Sequence, residues 1–353
     1  MKKYNVAVVG ATGLVGRTIL KVLEERKFPI AQIYLFSSSR SAGRKINFSG
    51  NEIIIQELNN NSFEGVDLAF FSAGSQVSNV YAPIANNSGC IVIDNSSCWR
   101  MSPEVPLVVP EVNASVLLTH KYIIANPNCS TIQLTIPLKA LHEKFKLKRV
   151  VVSTYQAISG AGQKGIDKLY SEINNKLSLS SNLPNPDIDR NSTNNTINNF
   201  SSHDIFNNIM FHELSSSDKS SNITVEEEKM LNETRKILSI DDLKISVTCV
   251  RVPIENSHSM SVNVELELPA TVEDVRRVLS DYENIIIVDD MNNNIYPTPQ
   301  LSNGRDEVFI GRIRADHSAN NAFNLWVVAD NLRKGAATNA IQIAEKLIEK
   351  ELL

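Results

Sequence analysis

Cysteine is scarce in this chain. Four occur in 353 residues, at Cys90, Cys98, Cys129 and Cys249, and they lie far apart. No CxxC pair and no Cys/His zinc spacing is formed, so no metal site is expected. A chain of this length does not need disulfide staples, so the thiols read as reduced and the setting as cytoplasmic. Long apolar runs are missing too. Nothing approaches the ~20 residues of a membrane span, and Met1-Lys2-Lys3-Tyr4 is not the start of a secretory signal. Positive charge is not in excess: 35 basic residues face 39 acidic ones, for a net charge of −4. Binding to nucleic acid therefore has no electrostatic footprint here. What remains is an ordinary globular composition, 42% hydrophobic, long enough for two domains.

The most informative stretch is Asn126-Pro127-Asn128-Cys129-Ser130-Thr131. It follows an apolar strand end, Tyr122 to Ala125, and opens a helical pattern. Asn128 suits an N-cap, which puts Cys129 in the first helical turn. Free N–H groups and the positive dipole end there favour a thiolate and lower a cysteine's pKa. The same groups suit an oxyanion formed when sulfur attacks a carbonyl. Pro137, close behind, predicts a kink or an early helix end.

At the start of the chain, Tyr4 to Val9 reads as a buried strand. Gly10-Ala11-Thr12-Gly13-Leu14-Val15-Gly16 follows, then a helix from about Val15 to Arg26. Strand, glycine loop and helix in that order make a dinucleotide site, with the pyrophosphate on the helix N-terminus. The next strand, Gln32 to Phe36, ends in Ser37-Ser38-Ser39-Arg40-Ser41. It lacks the acid that would hold ribose hydroxyls. An arginine suits a 2′-phosphate, so NADP is expected rather than NAD. Asp67 to Phe71 and Ile91 to Asp94 read as further parallel strands. The loops after them, with Ser72 and Asn95, should line the nicotinamide side, and Arg100 brings a cation close.

Arg149 to Thr154 reads as a strand, and Tyr155 to Gly162 as a second glycine loop opening a helix from about Gln163 to Lys176. Residues 178–222 are rich in Ser and Asn and read as a surface insertion, with Ile205 to Leu214 packing back on the fold. Thr224 to Leu238 reads as a capped helix with Glu226 and Lys229 on one face. Ile245 to Val252 and Ser259 to Leu268 alternate as strands, and the turn between them brings Arg251 and His258 together. A strand at Phe323 to Ala329 and a helix at Lys334 to Lys350 complete the pattern. The fold class is α/β: a Rossmann-type dinucleotide-binding domain, residues 1–126 plus 331–353, and an α+β catalytic and dimerisation domain, residues 127–330.

The sequence resembles the aspartate-semialdehyde dehydrogenase family. The matching stretches are GATGLVG at 10–16, SSRSAG at 38–43, SAGS at 72–75, NPNCST at 126–131 and QAISGAG at 156–162. EEEKM at 226–230, RVP with its histidine at 251–258 and DNLRKGAA at 330–337 complete the set. The resemblance implies that Cys129 is the nucleophile, His258 the general acid/base and Gln156 the residue positioning the substrate. It implies that Arg251 clamps the substrate α-carboxylate and Glu226 its α-amino group, while Arg100 and Lys229 bind phosphate. It assigns Gly10, Thr12, Gly13, Leu14, Val15, Ser38, Arg40, Ser41, Ser72, Ser159, Gly160 and Asn331 to NADP. The implied reaction interconverts L-aspartate 4-semialdehyde plus phosphate with L-4-aspartyl phosphate through a cysteine thioester, on the route to lysine, threonine and methionine. A homodimer is implied. Two alternatives stay open: a related reductase acting on N-acetylglutamyl phosphate or malonyl-CoA, and a non-catalytic homologue that kept the fold.

Overall fold

A computed structural model describes residues 2–180, 203–215 and 222–353 of the chain. The Asn-rich centre of the insertion, 191–199, lies outside the described residues.

The first half runs β1 (Tyr4–Val9), α1 (Leu14–Glu25), β2 (Ile30–Ser37), a hairpin of β3 (Lys45–Phe48) and β4 (Asn51–Ile54), β5 (Gln56–Glu57), β6 (Leu68–Phe71), α2 (Ser75–Asn87), β7 (Ile91–Asp94), α3 (Pro110–Asn113) and β8 (Ile123–Ala125). Its six-stranded sheet has the order β5-β2-β1-β6-β7-β8, and every pairing in it is parallel. Residues of a strand alternate between faces. In β1, Val6 and Val8 join one core cluster, with Ile19 and Leu23 of α1, while Ala7 and Val9 join another. The sheet is buried on both sides, as a doubly wound sheet must be.

The second half runs α4 (Cys129–Phe145), β9 (Leu147–Gln156), α5 (Gln163–Ser180), β10 (Met210–Phe211), α6 (Val225–Leu238), β11 (Lys244–Arg251), β12 (His258–Leu266), α7 (Val272–Ser280), β13 (Ile285–Ile287), α8 (Pro299–Ser302), β14 (Val308–Ala315), β15 (Ala322–Ala329) and α9 (Thr338–Glu349). Its seven-stranded sheet has the order β10-β11-β9-β12-β15-β14-β13. Ala340, Ile341, Ala344 and Leu347 of α9 return to pack with α1 and β1.

Three sequence expectations need correction. The helix that begins at Cys129 does not end at Pro137; it runs through to Phe145. Ile132, Leu134, Ile136, Leu138 and Leu141 are fully buried around it, and that packing outweighs the hydrogen bond the proline cannot make. The helix expected from Lys334 opens instead as a π-helical turn, Arg333–Ala337, and becomes α-helical only at Thr338. Gln156, read as part of a loop, is the last residue of β9. The expected packing of 205–214 is found in part. Ile205 and Met210 are buried against Ile158 and Leu169, and β10 pairs with β11, while Phe211 and Leu214 stay exposed.

Candidate active site

The topology gathers chemistry at one end of the second sheet. β9 and β11 are parallel, and Gln156 pairs with Arg251 at their shared end. β12 starts beside them with His258. Against this edge comes the N-terminus of α4. The Asn128 side chain accepts from the N–H groups of Ser130 and Thr131 at 2.9 and 3.3 Å, as an N-cap does. Its amide donates at 2.8 Å to Glu226 of α6. Cys129, in the first turn, places Sγ 3.2 Å from Nε2 of His258.

The imidazole is fixed from behind. The Ala157 N–H donates to Nδ1 of His258 at 2.9 Å. A neutral ring whose Nδ1 accepts must carry its proton on Nε2, so His258 presents an N–H to the sulfur. Burial, then the charge of Arg251, pushes the imidazole down to about 3. Burial, reinforced by the carboxylate of Glu226, pushes the Cys129 thiol up to about 12, against the pull of Arg100, Arg251 and Lys229. Cys129 keeps part of its surface open to the cleft, but protein crowds the sulfur on its other sides. The free site therefore rests as thiol and neutral imidazole. Burial and Glu226 thus work against the standing thiolate expected from the helix terminus, while the three cations work toward it.

Three cations and two carboxylates frame the cysteine. Lys229 lies 3.4 Å from Glu226. For Glu226, burial opposes ionisation but is outweighed by Lys229, by His212 and by hydrogen bonds from Asn128 and Gln156, which hold it down at about 2. Burial lowers the Arg251 pKa, and the charges of Glu226 and Cys129 oppose that shift. The Arg251 guanidinium donates to the Ala157 carbonyl at 2.8 Å. Arg100 is nearly buried and forms an ion pair with Glu233 at 3.0 Å.

A cleft of about 440 Å³ joins these groups to the first domain. Cys129, Gln156, Arg251, Glu226, Arg100 and Lys229 line it. So do Gly13, Leu14, Val15, Ser72, Ser159, Gly160 and Asn331 from the expected cofactor set. Gly10, Thr12, Ser38, Arg40 and Ser41 are not in its wall. Thr12 touches the Ser37 hydroxyl at 3.2 Å, and Arg40 is exposed beyond the end of β2. Gly10 acts indirectly: its φ is +85°, and a Cβ on Gly16 would lie 2.2 Å from its carbonyl oxygen. Only glycine lets α1 start this close to the loop. Gly13 offers no side-chain cap, so the amides of Leu14 and Val15 are left to an external anion, which fits a dinucleotide pyrophosphate.

Two residues close to the site escaped the sequence reading, one in the cleft wall and one behind it. Gly335, in the π-helical turn, stands so close to α4 that a Cβ there would lie 3.0 Å from Cβ of Cys129. Glu233 had no signal beyond its helical spacing from Glu226 and Lys229. Among the described residues, no group of three or more metal-ligating side chains is present, and no helix is long and apolar enough to cross a membrane.

The chain is similar to known proteins over nearly its whole length. Residues 5–120 match the model of the semialdehyde dehydrogenase NAD binding domain, and residues 138–334 that of the semialdehyde dehydrogenase dimerisation domain. The chain is 47% identical to the aspartate-semialdehyde dehydrogenase of Aquifex aeolicus, over 99% of both chains. It superposes on the aspartate semialdehyde dehydrogenase II of Vibrio cholerae, complexed with ASA, with a TM-score of 0.88 and 38% identity over 99% of each chain. For the Candida albicans aspartate semialdehyde dehydrogenase with NADP, the TM-score is 0.75 at 27% identity, over 99% of this chain and 100% of that one.

Proposed function

The chain belongs to the aspartate-semialdehyde dehydrogenase family, and on that premise we propose that it interconverts L-aspartate 4-semialdehyde plus inorganic phosphate with L-4-aspartyl phosphate, using NADP. The observation that carries the reading is the 3.2 Å contact of Cys129 with His258, flanked by a carboxylate clamp and an amine partner in one cleft.

The substrate enters with its α-carboxylate on Arg251, its α-ammonium on Glu226 and its carbonyl over Cys129, steadied by Gln156. The Cys129 thiolate, formed by losing its proton to solvent while Arg100, Lys229 and Arg251 offset the charge, adds to the aldehyde. The new oxyanion takes a hydrogen bond from Nε2–H of His258 and from the amide of the first α4 turn. Bound in the cleft, NADP supplies the hydride acceptor. Loss of hydride from the oxyanion leaves a thioester on Cys129 with no proton transfer needed. Phosphate on Arg100 and Lys229 then attacks the thioester, the C–S bond breaks, and sulfur leaves as thiolate. Covalent catalysis divides one hard step into two easier ones. The donor half of the acid/base role suits His258, since the Ala157 amide occupies the other nitrogen.

We assign residues 1–126 plus 331–353 to cofactor binding and 127–330 to catalysis and pairing of two copies. Arg40 and Ser41, beyond β2, would take the 2′-phosphate. The cellular role is the reductive direction in the cytoplasm, toward lysine, threonine and methionine. The pairing of a carboxylate clamp with a carboxylate for an amine disfavours an N-acetylated substrate.

The test is reduction of NADP and of NAD by aspartate semialdehyde, with and without phosphate, for the parent and for C129S. Phosphate-dependent reduction that prefers NADP, and is lost in C129S, is expected. Preference for N-acetylglutamyl phosphate in the reverse reaction, or turnover by C129S, would overturn the assignment.

A further inference from the structure

We propose that Glu233 sets how tightly this enzyme holds phosphate, acting through Arg100 from behind the cleft wall. The inference rests on the reading of Arg100 as a phosphate ligand.

Glu226, Lys229 and Glu233 follow one another along one face of α6 at helical spacing. Glu233 is 1% exposed and does not line the cleft. One of its oxygens accepts from Nη1 of Arg100 at 3.0 Å, the other from the N–H of Asn128 at 2.6 Å. Arg100 also donates through Nε to the Asn126 carbonyl at 3.0 Å and through Nη2 to the Asn95 carbonyl at 2.8 Å. A guanidinium has five N–H groups. Three are spent on protein, so two remain for an anion.

Glu233 thus does two things at once. It occupies an Arg100 donor that phosphate would otherwise use, and it cancels most of that residue's charge. With Arg100, Lys229 and Arg251 set against Glu226 and Glu233, the pocket is left with one uncompensated positive charge. A phosphate held by an unopposed arginine and lysine would bind tightly and leave slowly. The two backbone carbonyls keep the guanidinium aimed into the cleft without Glu233, so the carboxylate is not needed for aim. Its effect on the anion is electrostatic repulsion through a buried partner, where screening is weak.

The predicted sign is unusual: removing a buried partner should strengthen binding. In E233Q, the phosphate concentration for half-maximal aldehyde oxidation should fall about tenfold or more, and the half-saturation for aspartyl phosphate in the reverse direction should fall with it. Damage to the fold alone would weaken both. E233D keeps the charge and should stay near the parent. If E233Q does not fold, E233M removes the charge without turning an N–H₂ toward Arg100 or Asn128, and the same fall is expected. Unchanged or weaker phosphate binding in the neutral variants overturns the proposal. A parent enzyme whose turnover ignores phosphate overturns the phosphate reading of Arg100 and this inference with it. Phosphate dependence in the parent with no change in E233Q overturns the inference alone.

Discussion

On the proposed reading, Cys129 has to be both unreactive at rest and nucleophilic on demand. Its thiol lies at about 12 and the imidazole beside it at about 3. Between those values both groups are neutral, so the thiolate fraction of the free protein rises as pH climbs toward the thiol. Alkylation of Cys129 by iodoacetamide should therefore accelerate about tenfold per pH unit from roughly pH 6 to 9. A plateau reached near neutrality would instead mean a preformed thiolate–imidazolium pair, and would sink this account. The placement of Cys129 was legible in the sequence, because Asn-Cys at a helix start is a local pattern that Asn128 fulfils as a cap. Its acidity was not. Local pattern gave the dipole, whereas the desolvation comes from β12, α6 and the π-helical turn, all distant in sequence.

Elements with strong local signals formed where those signals stood. Thr224 caps α6 and Glu227 returns the bond, a capping box written into four residues. The helix does not end at Pro137 because α4 is enclosed by core on most of its faces, and burial there is worth more than one missing hydrogen bond. The turn at Arg333–Ala337 had no sequence signature at all. Its extra residue per turn brings Gly335 against Cys129, and π-turns of this kind recur at functional sites. G335A should lower kcat about tenfold or more, since the added methyl must displace Cys129 by a few tenths of an ångström. Half-saturation for the aldehyde should change little, because Arg251, Glu226 and Gln156 are untouched. Steady-state kinetics at saturating phosphate decide it; a parental kcat would show that the contact is slack.

On the scale of the whole molecule, the returning C-terminal segment is tied to the first half of the chain by a buried ion pair. Lys334, fully buried, donates to both oxygens of Glu111 on α3 at 2.7 and 2.8 Å, and also to Asn339 and Gln342. K334M would leave the Glu111 carboxylate unpaired in the interior, at a cost of ~3–5 kcal/mol. Denaturant unfolding of K334M should show that loss, and an unchanged midpoint would mean that Glu111 finds another partner. Sequence reading could place a helix near Lys334 to Lys350, but not this pair. A Lys and a Glu separated by most of the chain carry no mark of each other until the fold closes.

Asn331, Leu332, Gly335 and Ala336 wall the cleft that holds Cys129, and they leave the ribosome long after the cysteine does. A nascent chain thus carries its sulfur through most of translation without the pocket that gives it a task. The cleft around Cys129 is assembled late, by the return of a distant segment, and on the proposed reading the growing polypeptide is spared a working nucleophile before it can be controlled.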